Sequence, residues 1–286
     1  MAIDYERLLA LRIPDAEHRY TERDTILYAL GVGLGHDPVD EAQLAFVYEP
    51  GLRVLPTMAT ILGYPGFWMR DLDTGIDWVR VVHGEQGLVL HRPLPASGTV
   101  VGKTRVVDVV DKGPGKGALV YAERKVYEPA SGELLATLTQ TTVCRGDGGF
   151  GGPPRPTRRP HPIPERAPDL ACDLPTSPQA ALLYRLSGDL NPLHADPAVA
   201  RRAGFPRPIL HGLATYGVAG HALLRTVCGY DTGRLVAMDA RFSAPVFPGE
   251  TIRTEIWRDG ARVSFRARVV ERDVVVLDNG RAELRR

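Results

Sequence analysis

Residues 184–200 read YRLSGDLNPLHADPAVA, and this stretch decides how the second half of the chain folds. It places three polar side chains, Asp189, Asn191 and His194, close together in sequence. A glycine before Asp189 and the Asn-Pro pair after it favour a tight turn between two helical segments. A second stretch, PILHGLATYG at 208–217, follows closely and opens a longer apolar helix with a His-Gly pair. The pattern therefore predicts a polar turn beside the start of a helix.

The residues of this turn suit proton transfer. Because the helix is expected to end at Asp189 and the chain to double back, we expect His194 to lie near Asp189. A carboxylate and an imidazole that converge on one space can hold a water molecule and move protons near neutral pH. Asn191 can orient that water or the carboxylate, since its amide both donates and accepts hydrogen bonds. The three residues are therefore candidate catalytic residues.

Gly212 is a candidate for binding a developing negative charge. It lies at the predicted start of the apolar helix, where free N–H groups and the helix dipole favour an anion. Because it has no side chain, a carbonyl oxygen can approach its N–H, as in an oxyanion hole. Close packing of the helix is the alternative explanation for this glycine, and His211 can equally be a helix-start residue.

Three other kinds of site lack their sequence patterns. A metal site needs a third ligand in a spacing such as HxxxH, and none is evident, so no metal is predicted. A serine hydrolase would carry the GxSxG turn, which is missing. The segment Gly31-Val32-Gly33 lacks the strand–turn–helix context of a dinucleotide-binding loop.

The composition is typical of a globular protein without a strong electrostatic field. The 286 residues can form one large domain or two ordinary ones. The net charge is only +1, so we predict no nucleic-acid partner. Three cysteines without a CxxC argue against a disulfide framework and a thiolate zinc site. The first residues lack the apolar core of a signal peptide and no stretch stays apolar for ~18 residues, so we expect a cytoplasmic protein without a membrane partner.

The first half of the chain is predicted to form helix and then sheet. A helix is expected from Thr21 to the glycines near residue 35, and a strand at 44–49 (LAFVYE). Two strands are expected within 78–95, separated by a turn at Gly84–Gly87, and three more follow with period-two alternation. This order favours an α+β layer in which the sheet curls around one helix.

A linker is expected between two halves of similar organisation. Residues 146–166 are rich in glycine and then in proline, which excludes regular structure, and their arginines are either solvated or contact an anionic phosphate. Helices and then strands follow again. We therefore divide the chain into a first half at 1–148, a linker at 149–172 and a second half at 173–286.

The two halves align as an internal repeat. The matching segments are TILYALGVG (25–33) with ALLYRLSGD (181–189), VLPTMAT (54–60) with ILHGLAT (209–215), and PLPASGT (93–99) with PVFPGET (245–251). The first copy lacks the polar set: opposite Asp189, Asn191 and His194 it has Gly33, Gly35 and Pro38. We therefore predict one active copy and one copy that shapes a pocket for the substrate.

The motif also resembles that of a known family. YRLSGDLNPLHADPAVA is similar to the hydratase 2 motif of the MaoC-like family, the (R)-specific 2-enoyl-CoA hydratases. Its aromatic residue, its Gly-Asp-x-Asn-Pro-aliphatic-His core and the trailing Ala200 all match. The first half resembles the N-terminal half of the hydratase 2 unit of peroxisomal multifunctional enzymes, through RDTILYALGVG, LPTMATILG, HGEQGLVLHRPLPASG, DKGPGKG and GDGGFGG.

This resemblance implies a double hot-dog fold, in which two antiparallel sheets are each wrapped around a central helix. It also implies reversible hydration of trans-2-enoyl-CoA to (3R)-hydroxyacyl-CoA in fatty acyl-CoA metabolism, without a metal or redox cofactor. Carried onto this sequence, Asp189 and His194 are the catalytic pair and Asn191 helps to position the water. The Gly212 N–H polarises the thioester carbonyl.

Binding partners follow from the same resemblance. The CoA phosphates need cations, and Arg207 and Arg241, which flank the active segments, are the candidate contacts; ordinary surface arginines are the alternative. We expect an enoyl-CoA or 3-hydroxyacyl-CoA substrate. We also expect a homodimer, because exposed sheet edges in such halves favour pairing between copies.

Three other functions remain open from the sequence. The first is a (3R)-hydroxyacyl-ACP or polyketide dehydratase, which runs the same equilibrium backward. The second is a non-catalytic acyl-CoA-binding hot-dog protein, and the third is a thioesterase. Turnover, carrier preference and release of free thiol would separate them.

Overall fold

The computed structural model describes residues 3–285. The strands are β1 (Ala16–Tyr20), β2 (Val81–Leu90), β3 (Gly98–Asp111), β4 (Ala118–Tyr127), β5 (Leu134–Cys144), β6 (Leu170–Pro175), β7 (Leu235–Phe242), β8 (Thr251–Asp259), β9 (Arg262–Val269) and β10 (Val274–Leu284). The α-helices are α1 (Tyr5–Leu9), α2 (Glu22–Gly31), α3 (Glu41–Leu44), α4 (Trp68–Asp71), α5 (Ala180–Tyr184), α6 (Pro197–Arg202) and α7 (Gly212–Thr226). Short 3-10 turns lie at Pro56–Thr60, Trp78–Arg80, Arg185–Ser187 and Pro192–His194.

The strands form one antiparallel sheet whose order repeats itself in mirror image. The order is β1-β3-β4-β5-β2-β7-β10-β9-β8-β6. Counted outward from the β2–β7 pair, β5 corresponds to β10, β4 to β9, β3 to β8 and β1 to β6. The internal repeat predicted from sequence is therefore confirmed in the topology.

The β2–β7 pairing joins the two halves around a pseudo-twofold axis. Gly87 pairs with Asp239 at its centre, Glu85 pairs with Arg241 on one side, and Val89 pairs with Ala237 on the other. A Cβ at Gly87 would collide with the side chain of Asp239, so a glycine is required at the join. Two half-sheets thus become one continuous sheet.

The central helix differs between the halves. In the second half, α7 has 15 residues and packs against β6, β7, β8 and β10. In the first half the corresponding segment is only the 3-10 turn at Pro56–Thr60, which packs against β2 and β5. The chain breaks there because Gly63 takes a φ of 59° and Pro65 follows. The predicted α+β double hot-dog fold is confirmed, with the first central helix reduced to one turn.

Equivalent residues of the repeat meet where the halves pack together. Tyr28 and Tyr184, which align in the sequence, are both buried with ring centroids 5.9 Å apart. Two glycines let α7 approach the first half closely: a Cβ at Gly217 would lie 2.6 Å from Val32, and one at Gly220 would lie 2.5 Å from Thr57. Small residues on α7 therefore hold the halves in contact.

Two predictions of local structure were wrong. No strand forms at 44–49; instead Asp40 accepts hydrogen bonds from the N–H groups of Ala42 and Gln43 and begins α3, and turns follow it. The two strands expected within 78–95 are one strand, β2, and the expected turn is a bulge between His83 and Glu85. A glycine pattern marks a turn and a bulge alike, so sequence did not separate them.

The glycine-rich start of the linker is fastened to the sheet by Asp111. Its carboxylate accepts hydrogen bonds from the N–H groups of Gly149 (2.7 Å) and Gly151 (2.8 Å). Residues 151–164 then lack regular structure, as predicted. Arg155 pairs with Asp108, and Arg158 lies 4.6 Å above the ring of Tyr121. These linker arginines therefore contact the chain's own side chains.

The remaining predictions concern surfaces and thiols. The three cysteines are free and buried. Within residues 3–285, no helix has the length and apolar character needed to cross a membrane. Strands β1 and β6 are the edges of the sheet, and the homodimer stays a prediction.

His221 makes the fold sensitive to acid. It is fully buried within α7, its ring nitrogens lie 3.4 Å from the Val32 carbonyl and the Tyr230 hydroxyl, and burial lowers its pKa from 6.5 to about 4. Between these pH values the unfolded chain binds a proton that the folded chain does not. We therefore expect His221 alone to lower the free energy of unfolding by about 3 kcal/mol as the pH drops from 6.5 to 4.

The variant His221→Gln cannot titrate and should show a shallower fall, measured by urea unfolding across this pH range. The comparison uses the slope with pH, so a constant loss of stability in the variant does not affect it. Equal slopes in the two proteins would contradict the assignment.

Candidate active site

The predicted polar residues converge, together with one that the sequence did not assign to the site. The side-chain donor atoms of Asp189, His194 and His211 all lie within 4.8 Å of one another. Asp189 is exposed, whereas His194 and His211 are buried, at 8% and 1% exposure. The site is therefore open on the carboxylate side and closed on the imidazole side.

The turn that carries Asp189 is built as the sequence predicted. Gly188 takes a φ of 118°, a conformation that glycine adopts readily, and ends the 3-10 turn Arg185–Ser187. The Asn191 backbone N–H then donates to Asp189 Oδ1 at 3.1 Å, and its side-chain Oδ1 accepts from the Leu193 N–H at 3.0 Å. Asn191 thus orients the carboxylate through its backbone and caps the next turn with its side chain.

His194 is held in one tautomer. Its Nδ1 lies 2.8 Å from the Ile209 carbonyl oxygen, which can only accept, so Nδ1 carries the proton. Burial lowers the pKa of His194 below 6.5, although the Ile209 bond and the Asp189 charge act in the opposite direction. The imidazole is therefore neutral near pH 7, and its Nε2 presents a lone pair.

His211 contacts both His194 and Asp189. Its ring stacks on His194 with centroids 3.7 Å apart and planes 27° from parallel. Its Nε2 lies 3.1 Å from the Asp189 carbonyl oxygen and so must carry the proton. Burial, with a further contribution from His194, lowers the pKa of His211 to about 4. His211 therefore contacts both members of the predicted pair, by stacking on one and by hydrogen bonding to the backbone of the other.

The sequence left His211 as a possible helix-start residue, and it is indeed the N-cap of α7. The signal that could have identified it is its position directly before Gly212. Its contact with Asp189 depends on the folding of two separate segments, which spacing along the chain does not reveal.

The sequence shows no third metal ligand in a spacing such as HxxxH, but the fold brings His211 into the group as a third potential ligand. The two rings, however, are stacked nearly parallel. Their in-plane lone pairs therefore do not meet at a common point within the ~2 Å of a metal–nitrogen bond. The arrangement fits hydrogen bonding better than coordination.

Gly212 lies at the first position of α7, as predicted. The first turn of a helix leaves its N–H groups without intrahelical acceptors, and those of Ala214 and Thr215 are taken by the His211 carbonyl. A Cβ at Gly212 would lie 3.2 Å from the ring of Phe242. The close packing of this glycine is therefore confirmed, and its role at an oxyanion stays a prediction.

The first half also reaches the site. The bulge in β2 turns His83 onto the inner face of the sheet, where its ring lies 4.7 Å from that of Phe242. Desolvation lowers the pKa of His83 to about 4, with the nearby Asp189 charge opposing. Desolvation raises the pKa of Tyr64, and the Asp189 charge raises it further. Neither residue was identified from the sequence, because neither belongs to a recognisable motif.

The two candidate phosphate contacts occupy different surroundings. Arg207 is exposed, with its guanidinium 5.1 Å above the ring of Phe247, and it lies two residues before the Ile209 that holds His194. Arg241 lies opposite Glu85 of β2 and Asp278 of β10 in the register of the sheet. It immediately precedes Phe242, which faces inward. Alternation along the strand therefore places Arg241 on the outer face, away from the pair.

Comparisons with known proteins identify the family of the chain. Residues 18–146 match the family model described as the MFE-2 hydratase 2 N-terminal domain, and residues 160–280 match that of the MaoC like domain. The 3-hydroxyacyl-thioester dehydratase Y of Mycobacterium tuberculosis is 44% identical over 293 residues, covering 99% of each chain. The peroxisomal enoyl-CoA hydratase 2 of Arabidopsis thaliana is 41% identical, covering 94% of this chain and 92% of that protein. The crystal structure of a MaoC-like dehydratase from Phytophthora capsici matches with a TM-score of 0.86 and 34% identity, covering 98% of each chain.

The stacked histidines should have opposite tautomers. Because each ring donates to a carbonyl through a different nitrogen, we expect His194 as the Nδ1–H form and His211 as the Nε2–H form at neutral pH. Nitrogen-15 NMR of histidine-labelled protein would measure both, with His194→Gln and His211→Gln to assign the signals. A charged imidazolium, or the same tautomer at both positions, would contradict this geometry.

Proposed function

The chain belongs to the MaoC-like family, with a first half of the MFE-2 hydratase 2 type, and from this we propose that it hydrates trans-2-enoyl-CoA reversibly to (3R)-hydroxyacyl-CoA. The observation that carries the proposal is the neutral His194 beside the Asp189 carboxylate, with Gly212 directly after His211 at the first position of α7. These are the groups that addition of water to an unsaturated thioester requires.

The proposed reaction begins with a water molecule held between Asp189 and His194. The Nε2 lone pair of His194 and the carboxylate oxygens both accept hydrogen bonds, so together they can orient the water and take one of its protons. The water oxygen bonds to C3 of the substrate as that proton leaves. The pair then delivers one proton to C2, and the sum is addition of one water molecule across the double bond.

Negative charge develops on the thioester oxygen while C3 is attacked. We assign the N–H of Gly212 to this oxygen, because a helix start offers both an unpaired donor and the positive end of the helix dipole. The absence of a side chain leaves room for the thioester. Asn191 holds the Asp189 carboxylate in place through its backbone N–H.

The first half is proposed to receive the acyl chain. Its central segment is a single turn at Pro56–Thr60 where the second half has a long helix, and it lacks the polar set of the motif. For the CoA phosphates we retain Arg207 as the proposed contact. Arg241 has less support because it lies on the outer face of the sheet.

The dehydratase direction uses the same groups in reverse. One relative is named a 3-hydroxyacyl-thioester dehydratase, and that name supports this second candidate. The two directions share one equilibrium, so the distinction concerns the carrier and the supply of substrate. The proposed chemistry needs no metal or redox cofactor.

Replacement of either member of the pair should remove most activity. We expect Asp189→Asn and His194→Gln each to lower kcat/KM for crotonyl-CoA hydration by about a hundredfold or more, since each removes a group that moves a proton. The loss of absorbance of the enoyl thioester measures the rate, and circular dichroism checks the fold.

Asp196→Asn is the matched control for the carboxylate. Asp196 lies in the same motif but caps α6 by accepting from the N–H groups of Ala198 and Val199, a role that Asn also performs. This variant should keep nearly full activity. A folded Asp189→Asn or His194→Gln protein with near wild-type turnover would refute the proposed function.

The pH dependence should reflect the buried histidine. Because burial lowers the pKa of His194 below 6.5 and the neutral ring is the form that accepts a proton, activity should persist below pH 6.5 and fall only as the lowered pKa is crossed. A profile of kcat/KM against pH tests this. An acid limb centred at or above pH 6.5 would contradict it.

A further inference from the structure

Arg124, on the inner face of the first half-sheet, has no acidic partner among residues 3–285. It lies on β4, and its Nη2 donates to the Thr60 carbonyl at 2.5 Å. Its Nε is sealed from solvent and has no acceptor among the described residues, and no carboxylate of residues 3–285 lies within 4.0 Å of the group. Its other neighbour is the ring of Tyr64, 5.4 Å from the guanidinium carbon. Most of its donors are therefore unused.

Glu123, which precedes Arg124 in the sequence, makes its ion pair on the opposite face of the sheet. Glu123 accepts from Arg105 at 2.9 Å, and these two residues are cross-strand partners on β4 and β3. Because neighbouring residues of a strand point to opposite faces, this ion pair lies on the outer face and Arg124 on the inner one. The outer arginine therefore has an acidic partner, whereas the inner one has none within the described part of the chain.

The register of the strands places several polar side chains near Arg124. Thr104 on β3 and Leu138 on β5 pair directly with it, and Gln140 on β5 pairs with Gln86 on β2. With Tyr64, these residues line a small pocket, and Glu123 also contributes to its lining. The Thr104 hydroxyl is also sealed from solvent without a partner among the described residues. Two unsatisfied polar groups thus line the same pocket.

An unpaired cation in such a place is costly. Desolvation lowers the pKa of Arg124 to about 10, but the group remains charged near neutral pH. A charge-assisted hydrogen bond from guanidinium to an anion is among the strongest that a protein makes. The pocket therefore favours an anionic group that can accept from Arg124 and Thr104.

The pocket is close to the candidate active site. The charges of both Asp189 and Arg124 act on the pKa of Tyr64, and both act on that of His83. Tyr64 and His83 are therefore each near both charges, and the ring of Tyr64 also lies 5.4 Å from the Arg124 guanidinium carbon. The small size of the pocket favours a small anionic group over a bulky nucleotide.

We propose that Arg124 binds a carboxylate at the far end of the acyl chain, so that the preferred substrates are ω-carboxyacyl thioesters. This inference rests on the proposed function, since it assumes that an acyl thioester reaches from the Asp189–His194 pair into the first half. Arg124 is then a specificity-determining residue. Thr104 and Tyr64 complete the pocket around the carboxylate.

Saturated acyl-CoA molecules test the inference without requiring turnover. Isothermal titration would compare ω-carboxyacyl-CoA with the methyl-ended acyl-CoA of the same length, over short, medium-length and long chains. For at least one length we expect the carboxylate to bind about tenfold tighter or more, as for a hydrogen bond to a charged group. In Arg124→Met this preference should vanish while the affinity for the methyl-ended compound stays within about twofold.

Two further variants separate recognition from structure. Arg124→Lys keeps the charge and should retain part of the preference. Arg105→Met removes the arginine that pairs on the outer face and should leave the preference intact. Equal affinities for the two compounds at every length, or a preference unchanged in Arg124→Met, would overturn the inference. Turnover of methyl-ended enoyl-CoA tests the proposed function separately.

Discussion

The antiparallel pairing of β2 with β7 is the contact on which the site depends. It joins two half-sheets related by a pseudo-twofold axis and, through its register, decides which side chains face the core. Phe242 faces inward beside Gly212, and the bulge in β2 brings His83 to the same side. A shift of one residue would reverse these directions and turn Phe242 away from the start of α7. The packing around the candidate oxyanion hole therefore follows from a backbone register.

The symmetric framework carries an asymmetric site. The second half keeps a long buried helix, whose first turn supplies free N–H groups, and the polar turn that carries Asp189 and His194. The first half has a 3-10 turn at the corresponding place and contributes polar residues from its strands instead. One duplicated architecture thus provides two different surfaces that meet at the same site.

Burial acts differently on the ionisable groups of this site. The histidines lose their charge, because desolvation brings their pKa below the neutral range. Arg124 experiences the same penalty but remains a cation, because its pKa starts much higher. Desolvation therefore makes the imidazoles proton acceptors and the guanidinium an unpaired charge. The exposed Asp189 supplies the negative charge on the opposite side of the site.

The sequence by itself determined the duplication, the turn with Asp189, Asn191 and His194, and the position of Gly212 at a helix start. These features depend on local preferences: glycine permits the turn at Gly188, and an Asn-Pro pair continues it. Prediction from the sequence failed at residues 44–49, where the N-cap Asp40 begins a short helix instead of the strand expected from the apolar residues. It also failed at the β2 bulge, because glycines alone do not distinguish a bulge from a turn. Only the tertiary structure decided that His211 stacks on His194, that His83 and Tyr64 approach Asp189, and that Arg241 faces outward. It also decided that Arg124 has no acidic partner among the residues that the structure describes. Each of these depends on strand register or on packing between distant segments, and neither is encoded in the spacing of residues along the chain.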